Sequence, residues 1–310
     1  MKKNKKLLII ILLAVMLLPV TGCTKYLKDS DGKNIQNKET GQNAVKNILC
    51  QPPDKEMIKI YKENKINVEE LPKCTELSIV SGGYEGIWTT IFVKPLAWII
   101  VKIGELVNNY GIAIILITIL IRGIMYPMTK KTAMQSENMQ KAKPELDRLE
   151  KKYRNVQDQQ QMMQKSQEML MIYKKYDIHP MSGCVFSLFQ IPLFFAFYEA
   201  LNRLPAVFEG ELLGLQLGMS PLTAISQGKF IYVLVIAAVI LVTTLSFKLN
   251  RGANLDGEQA KMMNTMMKMS IVMIGAASFT ISTSIALYWI FNSGFTIVQN
   301  LIVKRRKANA

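Results

Sequence analysis

Arg122 lies inside the apolar run Ile112 to Met128, which has the length and composition of a membrane-spanning helix, and no acidic residue in the chain falls at a comparable depth. A guanidinium in mid-span costs about 2.5–3.5 kcal/mol on insertion scales, so such a residue is hidden in a water-filled cavity or used. With Lys130 and Lys131 as interfacial anchors, Arg122 lies about eight residues deeper, roughly 12 Å at the helical rise. That depth exceeds the reach of its own stem and favours a wet cavity in the cytoplasmic half of the membrane over snorkelling. Counting from the cytoplasmic anchors places Gln190 near the depth of Arg122, with Thr243, Thr244 and Gln299 shallower. Thr118 and Asn292 fall near mid-membrane, and Tyr288 and Trp289 deeper toward the outside. Each of these taken singly fits a satisfied helix–helix contact. Together they outline a polar recess open to the cytoplasm. Glu199, at the outer end of its span, is too far away to serve as counter-ion. A recess with a cation and no carboxylate is ill-suited to metal binding or proton relay and well suited to acidic or polar peptide segments.

The elements that must position these residues are apolar runs separated by basic connections. Half of the 310 residues are hydrophobic and the formal net charge is +15. This combination fits a polytopic membrane protein better than a nucleic-acid binder, because the lysines and arginines flank apolar runs and no aromatic-studded basic surface accompanies them. Residues 1–22 read as a signal peptide, with a basic head, the apolar stretch Leu7 to Leu18 and a Val-Thr-Gly-Cys ending like a bacterial lipoprotein cleavage box. This marks Cys23 for lipidation on the outer face. Cys50 and Cys74 fall in the extracytoplasmic stretch, where a disulfide is permitted; the paired and free forms both remain open.

Residues 23–85 read as a polar, lipid-anchored tether with a small helical element around Pro53 to Leu71. Residues 86–108 read as an amphipathic helix on the outer leaflet, with Lys94, Trp98, Lys102 and Glu105 at helical spacing and an apolar face opposite. The predicted spans are 109–129, 180–202, 229–247, 268–282 and 284–303. The last two share barely enough residues for two crossings, each near 17 residues or about 25 Å. A cytoplasmic hairpin (130–179), an outer loop (203–228), a cytoplasmic loop (248–267) and a basic tail (304–310) connect or follow them. The basic connections fall on one side, so the N-terminus is expected outside and the C-terminus inside. In the hairpin, Met139, Ala142, Leu146, Leu149, Tyr153 and Val156 repeat at four and three, as do Met162, Ser166, Met169, Tyr173 and Tyr176, predicting two helices packed along one seam. Met134, Met163 and Met171 fall off the seam, as soft thioethers for variable apolar partners would.

These residues carry a strong resemblance to the YidC-type membrane protein insertases of Gram-positive bacteria. The matching stretches are Thr118-Ile-Leu-Ile-Arg122 through Tyr126-Pro127-Met-Thr129-Lys130, then Tyr173-Lys-Lys, His179-Pro180-Met-Ser-Gly183-Cys184, Gln190-Ile-Pro192 through Tyr198, and Leu287-Tyr288-Trp289-Ile-Phe-Asn292, with Gln299 beyond. The likeness covers about 86 to 303. It implies an all-α polytopic membrane protein, a five-span insertase core with a cytoplasmic helical hairpin and an outer-face interfacial helix. Arg122 matches the groove arginine, and Thr118, Tyr288 and Trp289 match substrate-contacting positions. The implied activity is insertion and folding of nascent membrane proteins through a hydrophilic groove, alone or with the Sec translocon. The signal recognition particle receptor, the ribosome and membrane lipid are further candidate partners; no cofactor, metal or nucleic-acid recognition is implied. The chain departs from the family at His179, where Asn is common, and at Ser282-Thr283-Ser284, where Pro-Ala-Gly is common. Two other readings compete, an envelope lipoprotein scaffold and a transporter; the second needs ion-coupling carboxylates in the membrane, which the sequence lacks. No nucleotide-binding loop or catalytic constellation is visible, and the single histidine excludes any multi-His site.

Overall fold

The computed structural model describes residues 24–154, 158–179, 181–250 and 258–308, so the expected leader and Cys23 lie outside the described residues. In chain order the elements are α1 (Lys55–Glu63), α2 (Lys94–Leu106), α3 (Tyr110–Ile124), α4 (Tyr126–Lys152), α5 (Gln159–Lys175), α6 (Met181–Asn202), α7 (Pro205–Phe208), the hairpin β1 (Glu211–Leu212) and β2 (Leu215–Gln216), α8 (Pro221–Ser226), α9 (Val233–Asn250), α10 (Glu258–Ala277) and α11 (Thr283–Ala308). Among the described residues, Phe230–Leu249 and Thr283–Arg305 are long and apolar enough to cross a membrane. A third candidate arises if α3 and α4, bent by 70°, are one broken span. The chain divides into two compact units, one of residues 24–120, 188–239 and 277–291, the other of 121–187, 240–276 and 292–308.

The first unit holds the N-terminal segment. Expected as a tether, this segment has a small apolar core of its own, in which Leu27, Val45, Ile48 and Val68 pack with Met57 and Tyr61 of α1. Antiparallel bridges Tyr26–Val45, Lys28–Asn34 and Gln36–Asn43 tie its strand-like ends together. Wide, aperiodic spacing hides such a core from any hydropathy window. Asp54 caps α1, its carboxylate accepting from the Glu56 N–H. A disulfide joins Cys50 to Cys74 across a separation of 24 residues; closing a loop of that size contributes about 3.5 kcal/mol in the chain-entropy account.

This segment is fastened by buried charges. Arg203, 1% exposed, donates to the Asn47 carbonyl at 2.6 Å, Glu199 at 3.1 Å and Glu85 at 2.5 Å, while the Trp88 indole donates to Glu199 at 3.0 Å. Lys94, predicted on the polar face of its helix, is instead 2% exposed. Its ammonium pairs with Glu85 at 3.3 Å and caps the Ser81 and Gly83 carbonyls. Those carbonyl partners explain the inversion, because a buried ammonium is stable only when paired and hydrogen-bonded. Lys102 and Glu105 stay exposed and pair with each other at 3.0 Å. The α2–α3 turn is tight because a Cβ at Gly104 would lie 2.3 Å from the Tyr110 ring.

The loop of residues 203–228 contributes the two-residue turn Leu213-Gly214, with φ of 53° and 78°, which suits the twist of a β-hairpin. Glu209 precedes that hairpin. It accepts the Asp54 N–H at 2.6 Å, and burial, reinforced by the nearby Asp54 charge, pushes its carboxyl up to about 8. At the start of α11, Thr283 donates through both N–H and hydroxyl to the Met219 carbonyl, at 3.0 and 2.8 Å, and the Ser284 N–H donates to the Leu217 carbonyl at 2.8 Å. Hydroxyl and amide donors thus hold a turn of residues 278–282 without the family's Pro-Ala-Gly.

In the second unit α4 and α5 form a hairpin over Ala142, Leu146 and Ile178, with Met139, Met169, Ile172, Tyr173 and Tyr176 against them. The seam of α5 runs as expected through Met169, Tyr173 and Tyr176 but departs from the expectation in the first turns of the helix. Met162 and Ser166 are exposed, while Lys165 and Glu168 turn inward to pair with Glu150 and Lys152, each at 2.7 Å. Val156 lies outside the described residues. α10 begins at Glu258, inside the stretch expected as a cytoplasmic loop.

Candidate substrate-contact site

Span one breaks where the sequence reading ran it straight to Thr129. Pro127 has no N–H for the Gly123 carbonyl and its ring would crowd that turn, so α3 ends at Ile124 and α4 starts a new axis. Arg122 therefore occupies the last turn of α3. The depth counted from Lys130 along one helix does not apply, and the C-terminal end of the helix dipole favours the cation there.

Arg122 is 5% exposed, and its Nε donates to Asn292 Oδ1 at 2.5 Å. Asn292 sits on α11 in a row with Tyr288, Thr296 and Gln299, whose spacings of four, four and three residues put them on one helical face. Thr296 bonds back to the Asn292 carbonyl at 3.1 Å, and Gln299, 4% exposed, accepts from the Thr129 hydroxyl at 2.8 Å. The second unit thus holds two polar links from α11, one to the end of α3 and one to the start of α4. On α9 of the same unit, Thr243 is buried and Thr244 half-buried.

The aromatic part belongs to the first unit. Tyr288, 2% exposed, stacks on Phe197 with ring centroids 4.3 Å apart, and Phe194 meets Trp289 edge-on at 5.8 Å. Gln190 donates to the Tyr288 hydroxyl at 3.2 Å, while its own carbonyl oxygen is buried without a hydrogen-bond partner. Thr118 is 1% exposed and bonds to the Ile114 carbonyl at 2.6 Å, one turn before Arg122 on α3. Its proton is therefore spent within its own helix.

Of the predicted site residues, Arg122 joins Asn292, and Gln190 joins Tyr288. Gln299 joins Thr129, which the sequence reading did not select. Thr296 was also missed, although its place between Asn292 and Gln299 on one face marks it. Phe194 and Phe197 give no sign in an all-apolar run. Among the described residues no group of three or more His, Cys, Asp or Glu is arranged to hold a metal ion.

Comparison with known proteins identifies the family. Residues 102–310 match the family described as 60Kd inner membrane protein. The chain is 31% identical over 241 residues to the membrane protein insertase YidC of Oceanobacillus iheyensis, covering 76% of this chain and 91% of that relative. It is 33% identical over 225 residues to the YidC insertase of Alkalihalophilus pseudofirmus, covering 69% and 81%. The insertase MisCA of Bacillus subtilis is 31% identical over 218 residues, with 70% and 79% covered. An apolar helical chain with a buried arginine bonded to the polar face of another helix, matched over most of its length by these relatives, belongs to the YidC family of membrane protein insertases.

Proposed function

We propose that this protein inserts nascent membrane proteins into a bacterial membrane and helps them fold, with Arg122 and the polar face of α11 receiving the hydrophilic segment that must cross. The observation that carries this reading is the Arg122–Asn292 bond at 2.5 Å, in which a buried guanidinium is held by a neutral amide. A client carboxylate that replaces Asn292 keeps the bond count constant and adds the attraction of two opposite charges to a bond that the guanidinium already makes charge-assisted. The closed pair is then a resting state that a polar segment opens. In this reading the recess faces the cytoplasm within a five-span core, the N-terminus is outside and the C-terminus inside.

The same exchange lowers the barrier where it is highest. Polar peptide in hydrocarbon loses its water without replacement, at several kcal/mol per unsatisfied group, whereas Arg122, Asn292, Thr296 and Gln299 offer donors and acceptors along the path. The client's apolar helix passes the Tyr288 and Trp289 side into lipid, and its apolar burial drives the step. Membrane potential adds about 2.3 kcal/mol per charge per 100 mV for acidic segments. The proposal extends to cooperation with the Sec translocon and to lipidation of Cys23. The decisive experiment places a photocrosslinking amino acid at Thr118 or Tyr288 and presents a ribosome-stalled client. Adducts confined to client segments about to cross are expected; adducts absent from both positions while insertion proceeds would defeat the proposal.

A further inference from the structure

The connection from Cys23 to the body of the first unit is too short to act as a loose tether. Lys25 is already fixed: its N–H donates to Asn47 Oδ1 at 3.0 Å, and its carbonyl accepts the Lys46 N–H at 2.5 Å. Asn47 is the residue whose own carbonyl Arg203 grips just past the end of α6. At the next position the Tyr26 hydroxyl meets the Tyr198 hydroxyl of α6 at 3.2 Å. Three residues span at most roughly 11 Å, so Cys23 stands within that distance of Tyr26. Inward from Tyr198, α6 carries Phe195 and Ile191, three and seven residues earlier on the same helical face and both exposed. Phe194 flanks that face and meets Trp289 edge-on.

We infer that this face of α6 is an intramolecular acyl-chain site, covered by the fatty chains of a diacylglyceryl thioether on Cys23.

The inference rests on the lipidation and the membrane orientation proposed above. Tyrosines with an apolar ring and a polar tip favour the headgroup level, so the Tyr26–Tyr198 pair suits the depth at which the anchor's glycerol sits. Its chains then run inward. Tyr198 to Ile191 is about 10 Å along the helix, within the roughly 15 Å of hydrocarbon in one leaflet. Inside a bilayer no hydrophobic gain separates a chain packed on protein from one packed on lipid, so proximity decides. Free phospholipid visits every lipid-facing surface, whereas this anchor can enter the membrane only beside the end of α6. Its chains form part of the wall next to Trp289, the side along which the client's apolar helix passes. That gives the modification a use beyond attachment, which the apolar helices already provide.

The test uses the full chain, made in bacterial cells that process lipoproteins, with the photocrosslinker benzoylphenylalanine in place of Phe195. After irradiation of the membranes, trypsin frees the tripeptide Cys23-Thr24-Lys25 and the α6 peptide of residues 176–203 for mass spectrometry. The expected product joins these two through an acyl chain. Inserting about twelve Gly and Ser residues between Cys23 and Thr24 widens the reach of the anchor to roughly 20 Å. The membrane area within reach grows as the square of that distance, so the joined product should fall about threefold while lipidation persists. A lipidated tripeptide with the probe linked only to phospholipid, or a yield unchanged by the insertion, overturns the placement and leaves lipidation standing. A tripeptide that carries no diacylglyceryl group overturns lipidation itself, and this site with it.

Discussion

Replacing Asn292 with leucine tests whether its amide holds the buried arginine. The side chain keeps its branching and loses the oxygen that accepts from Arg122 Nε at 2.5 Å. A hydrogen bond to a charged group is worth about 1.5–3 kcal/mol net, so the Asn292→Leu variant should lose that much stability. The figure is isolated by a double-mutant cycle with Arg122→Met, both sites being read by unfolding of the protein in mixed micelles. With the guanidinium absent, Asn292→Leu should cost only its packing change, leaving a coupling of about 1.5–3 kcal/mol. The same variants in proteoliposomes give the functional half. If Asn292 competes with the client for Arg122, Asn292→Leu should crosslink an acidic client more strongly at Thr118 than the parent does, despite being less stable. A coupling below about 0.5 kcal/mol, the usual additivity error, would refute the idea that this pair holds the site closed.

Four further outcomes follow from the structure. Arg122→Ala should impair insertion of clients with acidic outer tails and Arg122→Lys should be milder, measured by protease protection in cells lacking any paralogue. Arg203→Met leaves Glu199 and Glu85 without their guanidinium and should destabilise the protein by about 3–5 kcal/mol in denaturant unfolding, whereas breaking the exposed Lys59–Glu63 pair should leave the midpoint unchanged. Gly104→Leu should cost about 1–3 kcal/mol by overpacking Tyr110, with recovery in the Tyr110→Ala background. Glu209 is raised from its ordinary 4.5 to about 8, so its contribution to stability is full below 4.5 and is lost as pH rises through 8. Thermal stability should therefore fall across that window, and Glu209→Gln should remove that part of the slope; an identical slope in the variant would contradict the burial of the carboxyl.

Much of the helical plan is visible in the chain, because apolar runs bounded by lysines report helices directly and the repeat of three and four reports the hairpin. The site was legible where type and position are both unusual: Arg122 in an apolar run, Gln190 and Asn292 on apolar helices. The angle at Met125 was not. Pro127 sits close enough to the expected end of a span to pass for its boundary, yet its missing N–H stops α3 early and moves Arg122 from mid-helix to a helix end. Lys94 misled for a different reason. Spacing identifies which residues share a helix face but not which face meets protein, and the carbonyls of Ser81 and Gly83 that draw Lys94 inward come from a loop without periodicity. The core around Tyr61 was hidden likewise, since six residues scattered from Leu27 to Val68 carry no local signal.

The Arg203 clasp also dictates when the protein can finish becoming itself. Asn47 and Leu49 wait on a partner more than 150 positions later in the chain, since Arg203 grips the Asn47 carbonyl and its own carbonyl takes the Leu49 N–H at 2.9 Å. During synthesis at a few residues per second, the front of the molecule must idle for many seconds, its disulfide already able to form, before the second half of the lock emerges. Shortening α6 at its Arg203 end should therefore trap the protein as a half-closed intermediate open to proteases.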